Sequence, residues 1–257
     1  DYLTFHLLFT VPLFVVLVIL YLRKRLYLDG SSPWGTVIVA AIAFVYTTPW
    51  DSYMIRREVW WYGNGRVSAR LFEVPLGEYI FFVIQPIITS LWLYLLLART
   101  KTRQSDGWGM RYILTAAGIA VTGLGWWLTQ GAESFYIGMV LVWAGPVLVV
   151  QWAYGGHYVF RNKGIVAAAV VPPTVYFASV DRFAIENGVW VISDELTTGL
   201  KFLGLPVEEG AFFLLTNLLV VQGVMLFGWT IEEWRGWAKE YEAVGRLTRL
   251  AGRDPSR

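Results

Sequence analysis

Two stretches of this chain, 130 residues apart at their first acid, carry the same pattern. The first reads Asp51-Ser-Tyr-Met-Ile-Arg-Arg-Glu58-Val-Trp60, then Pro75-Leu-Gly-Glu78-Tyr-Ile-Phe81-Phe82. The second reads Asp181-Arg-Phe-Ala-Ile-Glu186-Asn-Gly-Val-Trp190, then Pro206-Val-Glu208-Glu209-Gly-Ala-Phe212-Phe213. In each copy an apolar segment ends in Asp, a loop follows, and the next segment opens with Pro-x-x-Glu-x-x-Phe-Phe. Such a chain is expected to fold as two copies of one unit, with a single site built between them. Acids at the edge of apolar segments are costly in a membrane and default to a functional reading.

A membrane setting follows from composition. Of the 257 residues 56% are hydrophobic and 16% charged, and the mean hydropathy is +0.50, well away from a soluble domain. Seven apolar segments approach the roughly 20 residues that a spanning helix needs: 2–22, 35–50, 75–98, 111–129, 135–154, 164–180 and 206–230. The second and sixth are short and are the two that end in Asp51 and Asp181. The expected fold is an all-α polytopic membrane protein of seven transmembrane helices. Segments 1–3 and 5–7 form two parallel three-helix repeats, and the fourth connects them. The units are then 1–100 (first repeat), 101–134 (connector), 135–230 (second repeat) and a tail, 231–257. The first segment lacks a basic leader and a small-residue cleavage site, so it reads as retained.

Basic residues set the expected orientation. Fifteen of the 21 Lys and Arg follow the odd-numbered segments, which places the N-terminus outside, the C-terminus in the cytoplasm and both acidic loops at the outer end. Arg56, Arg57, Arg66 and Arg70 vote the other way. In the tail, Trp234, Trp237, Tyr241, Val244 and Leu247 recur at helical spacing, as in an amphipathic surface helix or a solvated one.

Each candidate residue has a plainer reading beside the functional one. Pro75 and Pro206 suit a helix's first turn, and Glu78 and Glu209 three residues later suit the positive end of its dipole. Repetition, the adjacent Glu208 and the Phe residues on the same face favour a site instead. Asp51 and Asp181 pair with Arg56, Arg57 or Arg182, or belong to that site. Trp50, Tyr53, Phe81, Phe82, Phe212 and Phe213 are candidate lining residues, with an interfacial belt the other reading for Trp50 and Tyr53 and ordinary packing for the four Phe. Trp60 and Trp61 read as an interfacial belt. Gln85 and Asn217 are polar groups at depth that line a site or join helices by hydrogen bonds. His157, beside Gly155-Gly156, reads as a cytoplasmic loop residue.

Several chemistries lack their residues. With no cysteine and two histidines, His6 and His157, thiolate and His-rich metal sites are out, and no metal or other cofactor is expected. There is no Gly-rich nucleotide loop and no aspartate-rich run for a metal diphosphate. No lysine lies within a segment to form a retinal Schiff base; Lys163 and Lys201 fall just before the sixth and seventh. A net charge of +2 gives no footing for nucleic acid. Acid–base chemistry on a lipid-soluble substrate, in an aromatic cavity, remains.

Trp-Asp51, Pro-Leu-Gly-Glu78-Tyr-Ile-Phe-Phe and Pro-Val-Glu208-Glu209-Gly-Ala-Phe-Phe together resemble the membrane-integral lycopene β-cyclase family. That family includes archaeal fused forms, two-subunit bacterial forms and one half of a fungal bifunctional enzyme. The family's motif commonly reads Pro-x-Glu-Glu in both halves, whereas Gly77 stands at the first Glu of copy one here. The resemblance implies cyclisation of the ψ end groups of lycopene by protonation, ring closure through a carbocation, and deprotonation. Glu209 is then the first choice as acid, with Glu208 beside it to hold its proton, and Glu78, Asp51 and Asp181 share the remaining roles. The implied partners are a carotenoid and membrane lipids. A cyclase of a longer carotenoid and a pigment-binding protein stay open, as do the number of ends cyclised, self-association and association with other carotenoid enzymes.

Overall fold

A computed structural model describes residues 1–26, 33–104 and 107–251, with side chains described through Arg235 except that of Trp108. Among the described residues there are seven helices: α1 (Tyr2–Arg23), α2 (Pro33–Arg56), α3 (Leu76–Leu97), α4 (Trp108–Leu128), α5 (Phe135–Arg161), α6 (Lys163–Glu186) and α7 (Val207–Ala251). By length and composition α1, α3, α5, α6 and the Val207–Arg235 part of α7 can cross a membrane. Helices α2 and α4 are as long but more diluted by polar residues, among them Thr47, Thr48, Asp51 and Ser52 in α2 and Arg111 in α4.

Two segments expected to stop at an aspartate run on. Helix α2 continues past Asp51 to Arg56, and α6 past Asp181 to Glu186. Met54, Ile55 and Ala184 bury their side chains there, so packing carries the helix beyond the point where hydropathy falls. Both aspartates therefore sit inside helices. Each helix then ends alike, on a residue with positive φ, Glu58 (55°) and Gly188 (60°). The next amide returns to the helix: Val59 N–H donates to Met54 O at 3.1 Å, and Val189 N–H to Ala184 O at 2.9 Å.

The loops beyond hold short strands. β1 (Trp60–Tyr62) pairs antiparallel with β4 (Trp190–Ile192), in the register Trp60↔Ile192, Trp61↔Val191, Tyr62↔Trp190. β2 (Arg70–Leu71) and β3 (Val74–Pro75) form a hairpin leading into α3; β5 (Lys201–Phe202) and β6 (Leu205–Pro206) form one leading into α7. Both hairpins turn on two positive-φ residues, Phe72-Glu73 and Leu203-Gly204, the geometry that matches strand twist. Pro75 and Pro206 end strands just before their helices, rather than occupying the first turn; Pro75 is extended, with ψ 149°.

Helices α3 and α7 take the centre. α3 packs against α1, α2, α6 and α7, and α7 against α2, α5 and α6. α4 lies along α5 through small residues; a Cβ on Gly125 would stand 2.8 Å from Val142 N. Helix α5 runs to Arg161 through a kink at Gly155 (φ −143°, ψ 30°). His157 is thus a buried helix residue with its ring edge-on to Trp229, and not a loop residue. Helix α7 continues beyond the apolar stretch with Trp234 exposed, while the side chains of Trp237, Tyr241, Val244 and Leu247 lie outside the described residues.

Candidate active site

The four motif carboxyls converge. Asp51 from α2, Glu78 from the first turn of α3, Asp181 from α6 and Glu209 from the first turn of α7 line one cavity between the helices, beneath the β1–β4 pair. Asp51, Asp181 and Glu209 are 3%, 4% and 6% exposed, which rules out a solvated role. The walls are aromatic: Trp50, Phe81, Phe82, Phe212 and Phe213 all border the cavity. Trp50 lies parallel to Phe212, with ring centres 5.8 Å apart and an interplanar angle of 4°.

Among the described residues no Lys or Arg lines the cavity with these acids. Arg56 and Arg57 are exposed, and Arg57 sits over the ring of Phe135 at 4.9 Å. Arg182 pairs with Glu186 at 2.8 Å on the surface, the one salt bridge among the described residues. The ion-pair reading of Asp51 and Asp181 thus finds no support. Neutral donors take the place of cations. Tyr62 O–H donates to Glu78 Oε1 at 2.8 Å, Tyr136 O–H to Glu209 Oε1 at 2.7 Å, and Trp190 Nε1–H to Asp181 Oδ1 at 3.0 Å. Trp60, at the position equivalent to Trp190, donates to the Tyr62 hydroxyl at 3.2 Å. Burial, with the Glu78 and Asp51 carboxyls nearby, pushes the Tyr62 hydroxyl well above the usual phenol range, so it keeps its proton and acts as a donor. Asp51 Oδ2 and Asp181 Oδ2 are buried with no hydrogen-bond partner among the described residues. Leaving a buried polar atom unpaired costs about 1–3 kcal/mol, and a function usually sustains it.

Other sequence candidates lie elsewhere. Glu208 is fully buried but borders no part of the cavity; its Oε1 accepts from the Thr198 amide at 2.8 Å and hydroxyl at 2.7 Å, tying the loop after β4 to α7. Tyr53 is 38% exposed, because two residues along a helix from Asp51 turn it to another side. Gln85 and Asn217 join helices: Gln85 Nε2 and Thr89 Oγ1 donate to Asn217 Oδ1 at 2.7 and 2.6 Å, and Asn217 Nδ2 reaches Thr174 of α6 at 3.1 Å.

The cavity also has walls that the motif reading left out: Tyr2, Trp60, Tyr136 and Trp190. Trp60, expected in an interfacial belt, is 7% exposed, whereas Trp61 is 45% exposed. The duplicated Trp60 and Trp190 carried a signal for this. Tyr2 and Tyr136, at the starts of α1 and α5, carried none.

A helical, strongly apolar chain that encloses clustered carboxyls behind aromatic rings is built for proton chemistry on a hydrophobic molecule. Residues 3–97 and again 133–227 match the lycopene cyclase family, and the chain belongs to that family. It is 42% identical over 207 residues to a lycopene beta-cyclase of Halobacterium salinarum, covering 80% of this chain and 87% of that one. It is 30% identical over 243 residues to a bifunctional lycopene cyclase/phytoene synthase of Aspergillus oryzae, covering 90% of this chain and 40% of that one. A protein of the same description from Leptosphaeria maculans is 35% identical over 245 residues, with coverage of 88% and 41%. No solved structure matches the chain.

Proposed function

We propose that this chain is a lycopene β-cyclase, closing the ψ end groups of lycopene into β-ionone rings to give γ-carotene and then β-carotene. The convergence of Asp51, Glu78, Asp181 and Glu209 in one aromatic-walled cavity carries this reading, and the 42% identity to a lycopene beta-cyclase supports it. The reaction is redox-neutral. A proton adds to C2 of the terminal double bond and leaves a tertiary cation at C1. The C5=C6 π electrons attack C1, the ring closes and the charge moves to C5; loss of the C6 proton forms the ring double bond. Each turn returns the proton it consumes, so the site needs an acid, a base and nothing consumed.

Glu209 delivers the proton, and the other three acids of the cavity supply the base and its surroundings. An uncompensated buried charge costs several kcal/mol, so a cavity with four carboxyls and no Lys or Arg among its described lining residues suits a group that holds and passes protons. Trp50, Phe82, Phe212 and Phe213 present ring faces and edges to the cation path, and a ring face is worth roughly 2 kcal/mol to a desolvated cation. They also keep water out, which would trap the cation as an alcohol. Glu208 is read as a structural tie to Thr198 and leaves the reacting set.

In this reading all seven helices cross the cell membrane, N-terminus outside and C-terminus cytoplasmic. Residues 1–100 and 135–230 form parallel repeats joined by α4. The double match to one family, at 3–97 and 133–227, supports the repeat, as do the matching helix ends and hairpins. The test is expression in a lycopene-accumulating bacterium, followed by chromatography of the pigments. Conversion to γ- or β-carotene is expected; unchanged lycopene beside folded, membrane-inserted protein overturns the reading.

A further inference from the structure

The cavity that holds the acids is small for a carotenoid. Its free volume is about 70 Å³, well below the roughly 300–1,000 Å³ of pockets that enclose a small molecule. A wall must therefore give way to admit an end group, and most of the long polyene must lie elsewhere.

One wall of the cavity has such a space on its other side. A groove of about 680 Å³ runs between α2 and α5, and Trp50 lines both it and the cavity. From α2 the groove takes Ile42, Val45 and Pro49, and from α5 Val142 and Trp143. Ile42 and Val45 are 57% and 71% exposed, so the groove opens sideways. Its polar tips are spent within the protein. The Tyr46 hydroxyl donates to Trp143 O at 2.8 Å and the Trp50 indole N–H to Met139 O at 3.2 Å, while Trp143 Nε1 is buried. The groove thus presents aliphatic and ring surface. Two other apolar grooves, both bordered by Val83 of α3, share no lining residue with the cavity.

Three rings make the partition. Phe212 of α7 lines the cavity, Trp143 the groove and Trp50 both. Trp143 lies 5.4 Å from Trp50 and 5.6 Å from Phe212 between ring centres. The two helices that flank the groove are each weakened beside it. Pro49 has no N–H for the Val45 carbonyl, and Pro146 none for the Val142 carbonyl. Helices bend where such bonds are missing, so α2 and α5 can part at the groove.

We propose that the groove between α2 and α5 seats the polyene chain of the carotenoid, whose end group passes Trp50 sideways from the bilayer into the cavity. The stretch Ala41–Trp50 spans roughly 13 Å at about 1.5 Å per residue. It holds the part of the polyene next to the reacting end, and the far end stays in lipid. A stiff conjugated chain loses little freedom on lying in a straight groove, and its end group is what the carboxyls beyond Trp50 can act on. The inference rests on the cyclase reading above and deepens it by stating how the unreacting part of the substrate is held.

The test separates kcat and KM for lycopene, using purified full-length protein in mixed micelles. Ile42→Trp and Val142→Trp fill the groove from opposite walls; Val83→Trp places the same ring in the grooves that miss the cavity. KM is expected to rise about tenfold in the two filled variants, with kcat at saturating lycopene little changed, and to stay at the wild-type value in Val83→Trp. Where a filled variant does not fold, Ile42→Phe takes its place, at a position exposed enough to accept a ring. KM unmoved in the filled variants, while wild type makes cyclised product, overturns the proposal and leaves the groove to lipid. An equal rise in Val83→Trp overturns it as well, since bulk anywhere on the apolar surface then has the same effect. A loss carried by kcat alone does the same, because it removes the groove from binding. A wild type without product overturns the cyclase reading, and this with it.

Discussion

At the scale of single residues, the cavity shows how little separates an acid from its neighbour of the same type. Glu208 and Glu209 are adjacent and both buried, yet one bonds a loop threonine and the other faces the cavity. Their substitutions should part accordingly. Glu209→Gln keeps the shape and loses the proton, and product formation is expected to fall by about 10²–10⁴-fold with the fold retained, measured as β- and γ-carotene per unit of purified protein. Glu208→Gln keeps an acceptor for Thr198 and is expected to retain turnover within about tenfold. Similar losses in both would show that the two adjacent glutamates act together. Asp51, Glu78, Asp181 and Glu209 were legible in the sequence because the chain states them twice. Tyr62 and Tyr136 were not, since each meets its glutamate only through the fold: Tyr62 comes from a strand, and Tyr136 lies 73 positions from Glu209.

Among the elements, polar atoms at depth do the joining. Asn217 of α7 takes bonds from Gln85 and Thr89 of α3 and reaches Thr174 of α6, so one side chain links three helices. Asn217→Leu strands Gln85 and Thr89 in an apolar interior, with an expected loss of about 1–3 kcal/mol. It should appear as a lower midpoint of thermal unfolding in detergent, with the pH profile unmoved; a shifted profile would place Asn217 in the site. Helix existence was legible for all seven segments, because apolar runs of that length have few alternatives. Helix ends were less so. Hydropathy falls at Asp51 and Asp181, but Met54 and Ala184 still have buried places to fill, and packing decides where the turn comes. The strands were invisible, being two or three residues long, and β1 and β4 are held by each other from far along the chain.

For the whole molecule, the absence of cysteine is an experimental advantage. A cysteine placed singly at exposed Asn64, in the loop after β1, is expected to react in intact cells with a thiol reagent that cannot cross membranes. One at exposed Arg99, after α3, is expected to react only once the cells are opened. The reverse pattern would invert the proposed orientation, and equal reaction at both would remove α3 as a crossing. The excess of basic residues after the odd-numbered segments was the signal for this arrangement, while Arg56, Arg57, Arg66 and Arg70 blurred it.

Strands β1 and β4 clasp the two halves by main-chain pairing between Trp60–Tyr62 and Trp190–Ile192. Main-chain pairing does not depend on which side chains the strands carry. Registration of one half on the other is thereby separated from the identity of the residues that face the cavity. Tyr62 can stand where its twin is Ile192, and Gly77 where its twin is Glu208, without the halves slipping apart. In the proposed two-repeat reading, a pairing of this kind lets the copies differ in their side chains while both stay aimed at the same cavity.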